Sequence, residues 1–204
     1  MSEKISLPKQ KEGAQSDNCF TIKSNTLTEA ENLYNNAKEN LIHVNNWNKL
    51  AGGLSAKFQL TNSHGDALYR PAKEKDHIKI QLPVAGKHYD WVKIESIEEE
   101  KVDDLHEHIT IKVRPTNDPL TSERDTAHFL TSDATSSFSI QRKGEKVTAA
   151  INGRNELPNT QTKGFFRKIR NAIIGLTVML GLNTPQWKAL AKGLVKKGRV
   201  EKNA

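Results

Sequence analysis

Short runs in which every second residue is apolar occupy the middle of the chain and constrain its fold most strongly. Seven runs lie between Lys57 and Ile151, around Phe58–Leu60, Ala67–Tyr69, Ile78–Leu82, Val92–Ile94, Ile109–Val113, Phe138–Ile140 and Val147–Ile151. A period of two is typical of a strand with one buried face. No helical stretch separates the runs, which favours antiparallel pairing over βαβ units. We therefore predict an antiparallel curled sheet or a small β-barrel with six or seven strands.

Helical patterns lie on both sides of these strands. Thr26 has the character of an N-cap and Glu29 completes a capping box, so we expect a helix from here to about Gly52. Two helices are expected near the C-terminus, the first over about 163–180 and the second with Thr184 as N-cap and Pro185 at its first position. The fold class is therefore α+β, with one N-terminal helix and two C-terminal helices.

The chain of 204 residues lies within the usual size range of one domain. Residues 1–24 are polar and show no clear period, so we expect a flexible N-terminal arm. Residues 25–204 are expected to form a single α+β domain that includes a basic helical extension over about 163–200.

Three absences indicate a cytoplasmic protein. No apolar signal segment is visible in the first twenty residues, and Cys19 is the sole cysteine, so no internal disulfide is available. The longest nearly apolar run, Ala172–Leu182, is far shorter than the roughly 20 residues needed to span a bilayer.

The positive charge is concentrated at one end of the chain. Of the net charge of +7, residues 163–204 contribute +9 and the other residues sum to −2. Such asymmetry favours a polyanionic or acidic partner.

The last predicted helix has an apolar stripe beside a row of lysines. This pattern suits an acidic protein groove, another copy of the chain or an anionic membrane surface, and equally a helix packed on the sheet with its lysines solvated. Nucleic acid is the less favoured partner because no aromatic residues are interleaved with the basic ones. The residues predicted to bind a partner are Arg167, Lys168, Arg170, Trp187, Lys188, Lys192, Lys196 and Arg199.

An acidic cluster surrounds the turn expected between the strands of Ile94 and Ile109. It could receive the basic helix of a second copy, or it could simply be a solvated hairpin tip. Its members are Glu95, Glu98, Glu99, Glu100, Asp103, Asp104 and Glu107.

Few residues in the sequence are candidates for metal binding or catalysis. His106 and His108 share one face of a strand, but two ligands do not make a metal site. Acid, base and nucleophile types occur together at Asp125, His128, Ser132 and Asp133, without a nucleophile-elbow motif to activate them. We therefore predict no catalytic residue, no metal and no cofactor, and the sequence leans against an enzyme.

The leading functional prediction is a non-catalytic interaction or assembly protein that uses its basic C-terminal helices. The first alternative is a small-ligand-binding protein with an apolar pocket between the sheet and the N-terminal helix, lined by Trp91, Phe58 and Ile80. The second alternative is peripheral membrane binding by the C-terminal helices.

Overall fold

A computed structural model describes residues 8–52, 56–81, 89–120, 133–156 and 185–196. The helices are α1 (Leu27–Ile42), α2 (Trp47–Leu50) and α3 (Pro185–Lys196), with a 3₁₀ turn at Val44–Asn46 before α2. The strands are β1 (Ala14–Lys23), β2 (Lys57–Thr61), β3 (His77–Gln81), β4 (Asp90–Lys101), β5 (His106–Pro115), β6 (Thr135–Lys143) and β7 (Lys146–Glu156).

All seven strands belong to one antiparallel sheet in the order β1-β7-β6-β5-β4-β3-β2. The predicted α+β class with an antiparallel curled sheet is confirmed. Strands β1 and β2 stand at opposite ends of this order, and within the described residues they do not pair with each other. The sheet is therefore open rather than a closed barrel. The run at Ala67–Tyr69 contributes only an isolated bridge from Ala67 to Thr61.

The prediction of a flexible arm over residues 1–24 was wrong for its second half. Strand β1 pairs with β7 from Ala14 to Lys23 and forms one edge of the sheet. The chain before it is also tied down, since the backbone N–H of Lys11 donates to Asn155 Oδ1 at 2.7 Å. Alternation was hard to see because the inward positions Ser16 and Asn18 are polar.

Helix α1 begins as predicted but ends earlier. Thr26 caps it by accepting a hydrogen bond from the Glu29 backbone N–H at 3.1 Å, and the Glu29 carboxylate accepts from the Asn25 backbone N–H. The helix ends at Ile42 rather than near Gly52, because the chain leaves helical geometry at His43. The short helix α2 then places the Trp47 side chain in the core.

Helices α1 and α3 pack on the same face of the sheet, which we call the concave face. The inward residues of the central strands form one continuous core with the apolar stripes of both helices. Its largest fully buried side chains include Tyr34, Leu41, Trp47, Leu60, Ile78, Ile94, Ile111, Ile140, Leu190 and Leu194.

The predicted start of the last helix at Pro185 is confirmed. The other predicted C-terminal helix, over about 163–180, lies outside the described residues. None of the helices in the described ranges is long and apolar enough to cross a lipid bilayer.

A glycine sets how closely α3 approaches α2. A Cβ atom at Gly193 would overlap the carbonyl oxygen of Leu50 and lie 3.2 Å from the Leu50 Cα. Nearby, the Asn40 side-chain amide donates to the Leu194 carbonyl oxygen at 3.0 Å. These two contacts fix α3 against α2 and α1.

We predict that Gly193→Ala destabilises the protein although alanine favours a helix over glycine by about 1 kcal/mol. The added methyl group meets backbone that has little room to move, and overpacking of this kind costs about 1–3 kcal/mol. Urea unfolding should show a lower free energy of unfolding for this variant. The control, Lys192→Ala on the exposed side of the same helix, should change it by no more than about 0.5 kcal/mol; equal stability of both variants would contradict the close approach.

Candidate ligand cavity

Four aromatic side chains meet on the concave face. The Trp47 ring centroid lies 5.4 Å from that of Phe58 and 4.6 Å from that of Phe138. The Trp187 ring centroid lies 6.3 Å from that of Phe58 and 5.7 Å from that of Phe138. The four rings come from α2, β2, β6 and α3, so their meeting point is where the helices close over the sheet.

A cavity of about 40 Å³ lies beside these rings. Most of its wall is apolar, and the polar exceptions are Asp90 at the start of β4 and Ser136 on β6. Its lining residues are Trp47, Phe58, Ile78, Ile80, Asp90, Val92, Val113, Pro115, Ala134, Ser136, Phe138 and Trp187.

The two tryptophans are held differently. The indole N–H of Trp47 donates to the Leu41 carbonyl oxygen at 3.0 Å, which fixes its ring against the last turn of α1. Trp187 lies in the first turn of α3 and is 7 % exposed. The cavity is thus bounded by a fixed wall on α2 and by a wall at the beginning of a separate helix.

A second, wider cleft of about 420 Å³ opens on the other side of Phe58. Its lining is mainly polar and contains three lysines, Lys49, Lys57 and Lys79, with the Lys79 Nζ 3.7 Å from the centroid of the Tyr89 ring. Phe58 is the residue common to both walls.

A buried polar cluster lies on the same face, one strand away from the cavity wall. We call Ser16, Asn18 and Glu156 the polar cluster. The Glu156 carboxylate occupies the space beside Gly153, where a Cβ atom would overlap it and would lie 2.7 Å from Ser16 Oγ. Asn18 Nδ2, Asn18 Oδ1 and Glu156 Oε2 are all buried and have no hydrogen-bond partner.

Burial raises the pKa of Glu156 to about 7. The hydrogen bond from Ser16 and the charge of Arg154 oppose this shift, whereas the charge of Asp17 adds to it. Since Glu156 is only 4 % exposed, desolvation of its charged form dominates.

The residues predicted to bind a partner divide into two groups. Trp187 lies inside, on the cavity wall, whereas Lys188, Lys192 and Lys196 are exposed on the outer side of α3. Lys196 Nζ lies 5.4 Å from the centroid of the Phe20 ring. The apolar stripe of α3 therefore faces the sheet, and its three lysines face outward. Arg167, Lys168, Arg170 and Arg199 lie outside the described residues.

The predicted pocket residues are placed in part as expected. Phe58 and Ile80 line the cavity. The prediction for Trp91 was wrong, because its neighbours Asp90 and Val92 face the cavity and Trp91 lies on the opposite face beside Lys79. Trp47, Phe138 and the polar cluster were not among the predicted site residues; the available signal for Trp47 was that it continues the apolar stripe of the predicted N-terminal helix.

Much of the predicted acidic cluster is matched by basic groups of the same chain. Lys38 pairs with Glu99 at 2.6 Å, and the buried Arg142 pairs with Glu107. Glu95 is shared by Lys112 and Arg114, which lower its pKa although burial opposes them. The remaining contacts join Lys101 to Asp104, His106 to Asp103 and His108 to Glu100.

His106 and His108 contact different carboxylates and do not point at a common metal position. His106 Nδ1 lies 2.8 Å from Asp103, and His108 Nε2 lies 3.9 Å from Glu100. In the parts of the chain that the structure describes, no three metal-ligating side chains come together. Asp125, His128 and Ser132 lie outside those parts.

Comparison with known proteins gives distant likenesses in structure alone. Norcoclaurine synthase from Thalictrum flavum, a point mutant in complex with a transition-state analogue, is 9 % identical, with 92 % of this chain and 98 % of that chain covered and a TM-score of 0.39. Major latex-like protein 151 from Panax ginseng is 11 % identical, with 80 % and 95 % covered and a TM-score of 0.40. A protein from Nitrosospira multiformis is 8 % identical, with 89 % and 97 % covered and a TM-score of 0.40.

No family model and no curated protein matches the chain. Because the TM-scores are below 0.5, these likenesses assign neither a family nor a function.

We predict that Glu156 makes stability fall as pH rises. Its pKa is about 7 in the folded protein and about 4.3 when unfolded, so the folded state binds the proton more tightly. The stabilisation is complete below pH 4 and is lost as pH rises to about 7, with a total of roughly 4 kcal/mol.

Urea unfolding at pH 5 and pH 8 checks this prediction. Glu156→Gln should be more stable relative to wild type at pH 8 than at pH 5. The control, Glu145→Gln in the exposed turn between β6 and β7, should show no such difference. Parallel profiles for Glu156→Gln and wild type would show that burial does not perturb Glu156.

Proposed function

We propose that the protein binds a small, largely apolar molecule between the concave face of the sheet and α3. The observation that carries the proposal is the cavity bordered by Trp47, Phe58, Phe138 and Trp187. Sites for small molecules are concave, mainly apolar and aromatic, with a few polar groups that orient the ligand. Asp90 and Ser136 are the polar residues of this wall, and they would orient the ligand.

The cavity is too small for an ordinary ligand unless part of its wall moves. A volume of about 40 Å³ exceeds the 10–15 Å³ that a water molecule needs, but it lies far below the roughly 300–1,000 Å³ of ordinary ligand pockets. A ligand with a ring must therefore displace part of the wall. Trp187 suits this role because it lies in the first turn of α3, whereas the Trp47 indole is hydrogen-bonded to α1.

Filling the cavity should weaken binding. Ala134 belongs to its wall, and Ala134→Val adds two methyl groups to a space that is already small. We expect the uncharged fluorescent probe N-phenyl-1-naphthylamine to bind the wild type and to bind this variant at least fivefold more weakly, as measured by fluorescence titration.

The control is Ala150→Val, which makes the same change on the other face of the sheet, opposite Cys19 and Ser139 in the strand register. It should leave the affinity unchanged. No binding to wild type, or equal binding to both variants, would overturn the proposal.

A second candidate function is self-association through the outer side of α3. Lys188, Lys192 and Lys196 form an exposed row on this helix, and the residues of α3 include no acidic side chain. Self-association would bring this row against an acidic surface of a second copy.

The test is light scattering on a size-exclusion column at low and high salt. Self-association predicts an oligomer at low salt that dissociates at high salt and is lost when all three lysines are replaced by glutamine. Replacing Lys143 and Lys146 in the β6–β7 hairpin is the control and should leave the oligomer intact. A monomer at both salt concentrations would rule out self-association.

A further inference from the structure

The wider cleft beside Phe58 lies at the β2 edge of the sheet and is lined by residues of β2, β3, α2 and the 3₁₀ turn. Its volume of about 420 Å³ falls within the roughly 300–1,000 Å³ of ordinary small-molecule sites. Its described lining residues are Asn45, Asn48, Lys49, Lys57, Phe58, Gln59, Lys79, Gln81 and Tyr89. Three of these are lysines and none is acidic, so the cleft favours an anion.

The strand register brings two of the lysines together. Lys57 on β2 is opposite Gln81 on β3, and Gln59 is opposite Lys79. Lys57 and Lys79 are therefore diagonal neighbours on the same outward face, and positions so related lie about 7–8 Å apart, within reach of long side chains. Both ammonium groups can thus approach one bound anion.

The charges of these two lysines are not cancelled by carboxylates of the chain. Lys79 Nζ lies 3.7 Å from the centroid of the Tyr89 ring and 5.6 Å from that of the Trp91 ring. Such cation–π contacts position an ammonium group and leave its charge in place. Among the described residues, neither Lys57 nor Lys79 forms an ion pair. An anion in the cleft would therefore meet two positive charges without a competing carboxylate.

Amide side chains brace the rest of the cleft. Asn45 Oδ1 accepts hydrogen bonds from the Leu60 backbone N–H at 2.7 Å and from the Gln59 side-chain amide at 3.2 Å. The Asn48 side-chain amide donates to the Ala56 carbonyl oxygen at 3.2 Å. These bonds hold the 3₁₀ turn and α2 against the edge of β2, so the cleft is preformed. Amide groups contain both donors and acceptors, which suits a ligand with hydroxyl groups.

We propose that this cleft binds a phosphorylated, hydroxyl-rich small molecule, with Lys57 and Lys79 at its phosphate group. Lysine binds phosphate as a compact charge with three donors. A phosphate monoester carries nearly two negative charges at neutral pH, which the two lysines match, and Lys49 on α2 adds a third positive charge to the lining. The site is separate from the cavity, because Phe58 forms a wall of both spaces.

Isothermal titration calorimetry at neutral pH and low salt tests this site with glucose 6-phosphate. We expect wild type to bind it more tightly than inorganic phosphate or glucose, since each of these offers only part of the recognised chemistry. Combining Lys57→Gln with Lys79→Gln should weaken binding about tenfold, which is about 1.4 kcal/mol shared between two exposed ion pairs. Lys57→Gln alone changes an exposed residue and should weaken binding about threefold, which keeps the test valid if the double variant fails to fold.

The matched control combines Lys143→Gln with Lys146→Gln. These lysines are directly opposite each other in the β6–β7 hairpin, so the control removes the same charge from another pair on neighbouring strands. It should leave the affinity for glucose 6-phosphate within about twofold. An absence of binding, equal binding of glucose or inorganic phosphate, or equal weakening by the control would overturn the proposal.

A free sugar phosphate and a phosphorylated inositol headgroup of a lipid present the same chemistry. Co-sedimentation with phosphatidylcholine vesicles, with and without phosphatidylinositol 4-phosphate, separates these sources. Sedimentation that requires the phosphorylated lipid and is lost in the Lys57 and Lys79 double variant would identify the headgroup. Binding of glucose 6-phosphate without sedimentation would identify a soluble phosphate.

Discussion

The approach of α3 to α2 at Gly193 is the constraint on which the rest of the concave face depends. A helix that could not come so close to Leu50 would be held away from the sheet, and the aromatic side chains of α2, β2 and β6 would lose their cover. Adding a single methyl group at such a contact shifts the neighbouring elements, because protein interiors have little free volume. The cavity is the small space that remains where the four large rings do not fill the junction between helices and sheet.

The same docking explains why the basic stripe of α3 and its apolar stripe have separate roles. An amphipathic helix that is free would present both to a partner or a membrane. Here Trp187, Leu190 and Leu194 are in the core, so within α3 the charged residues left accessible are its lysines. A lysine row by itself supports weak, salt-sensitive contacts rather than a tight interface, since exposed ion pairs contribute little.

Alternating apolar residues predicted β2 to β7 well because each of these strands packs apolar side chains against the helices and has mainly polar side chains on its other face. The same reasoning failed for β1, where Ser16 and Asn18 occupy inward positions that are usually apolar. It also failed for the end of α1, because the stripe continues through Val44 and Trp47 while the backbone changes geometry at His43. Periodicity reports which side is buried, and it cannot detect a strand whose buried side is polar or a turn that keeps the same face inward.

Ser16 and Asn18, the polar residues that hid the apolar alternation of β1, also occupy positions where burying a polar side chain is costly. An edge strand that needed only to complete the sheet would gain from apolar side chains at positions 16 and 18, since burying an apolar group is favourable and burying an unpaired amide is costly. The unpaired atoms of Asn18 and Glu156 therefore offset part of the stability that the surrounding core provides. The polar positions of β1 and the cavity wall at Ser136 lie on either side of β7, and the Glu156 carboxylate fills the space beside Gly153 between them.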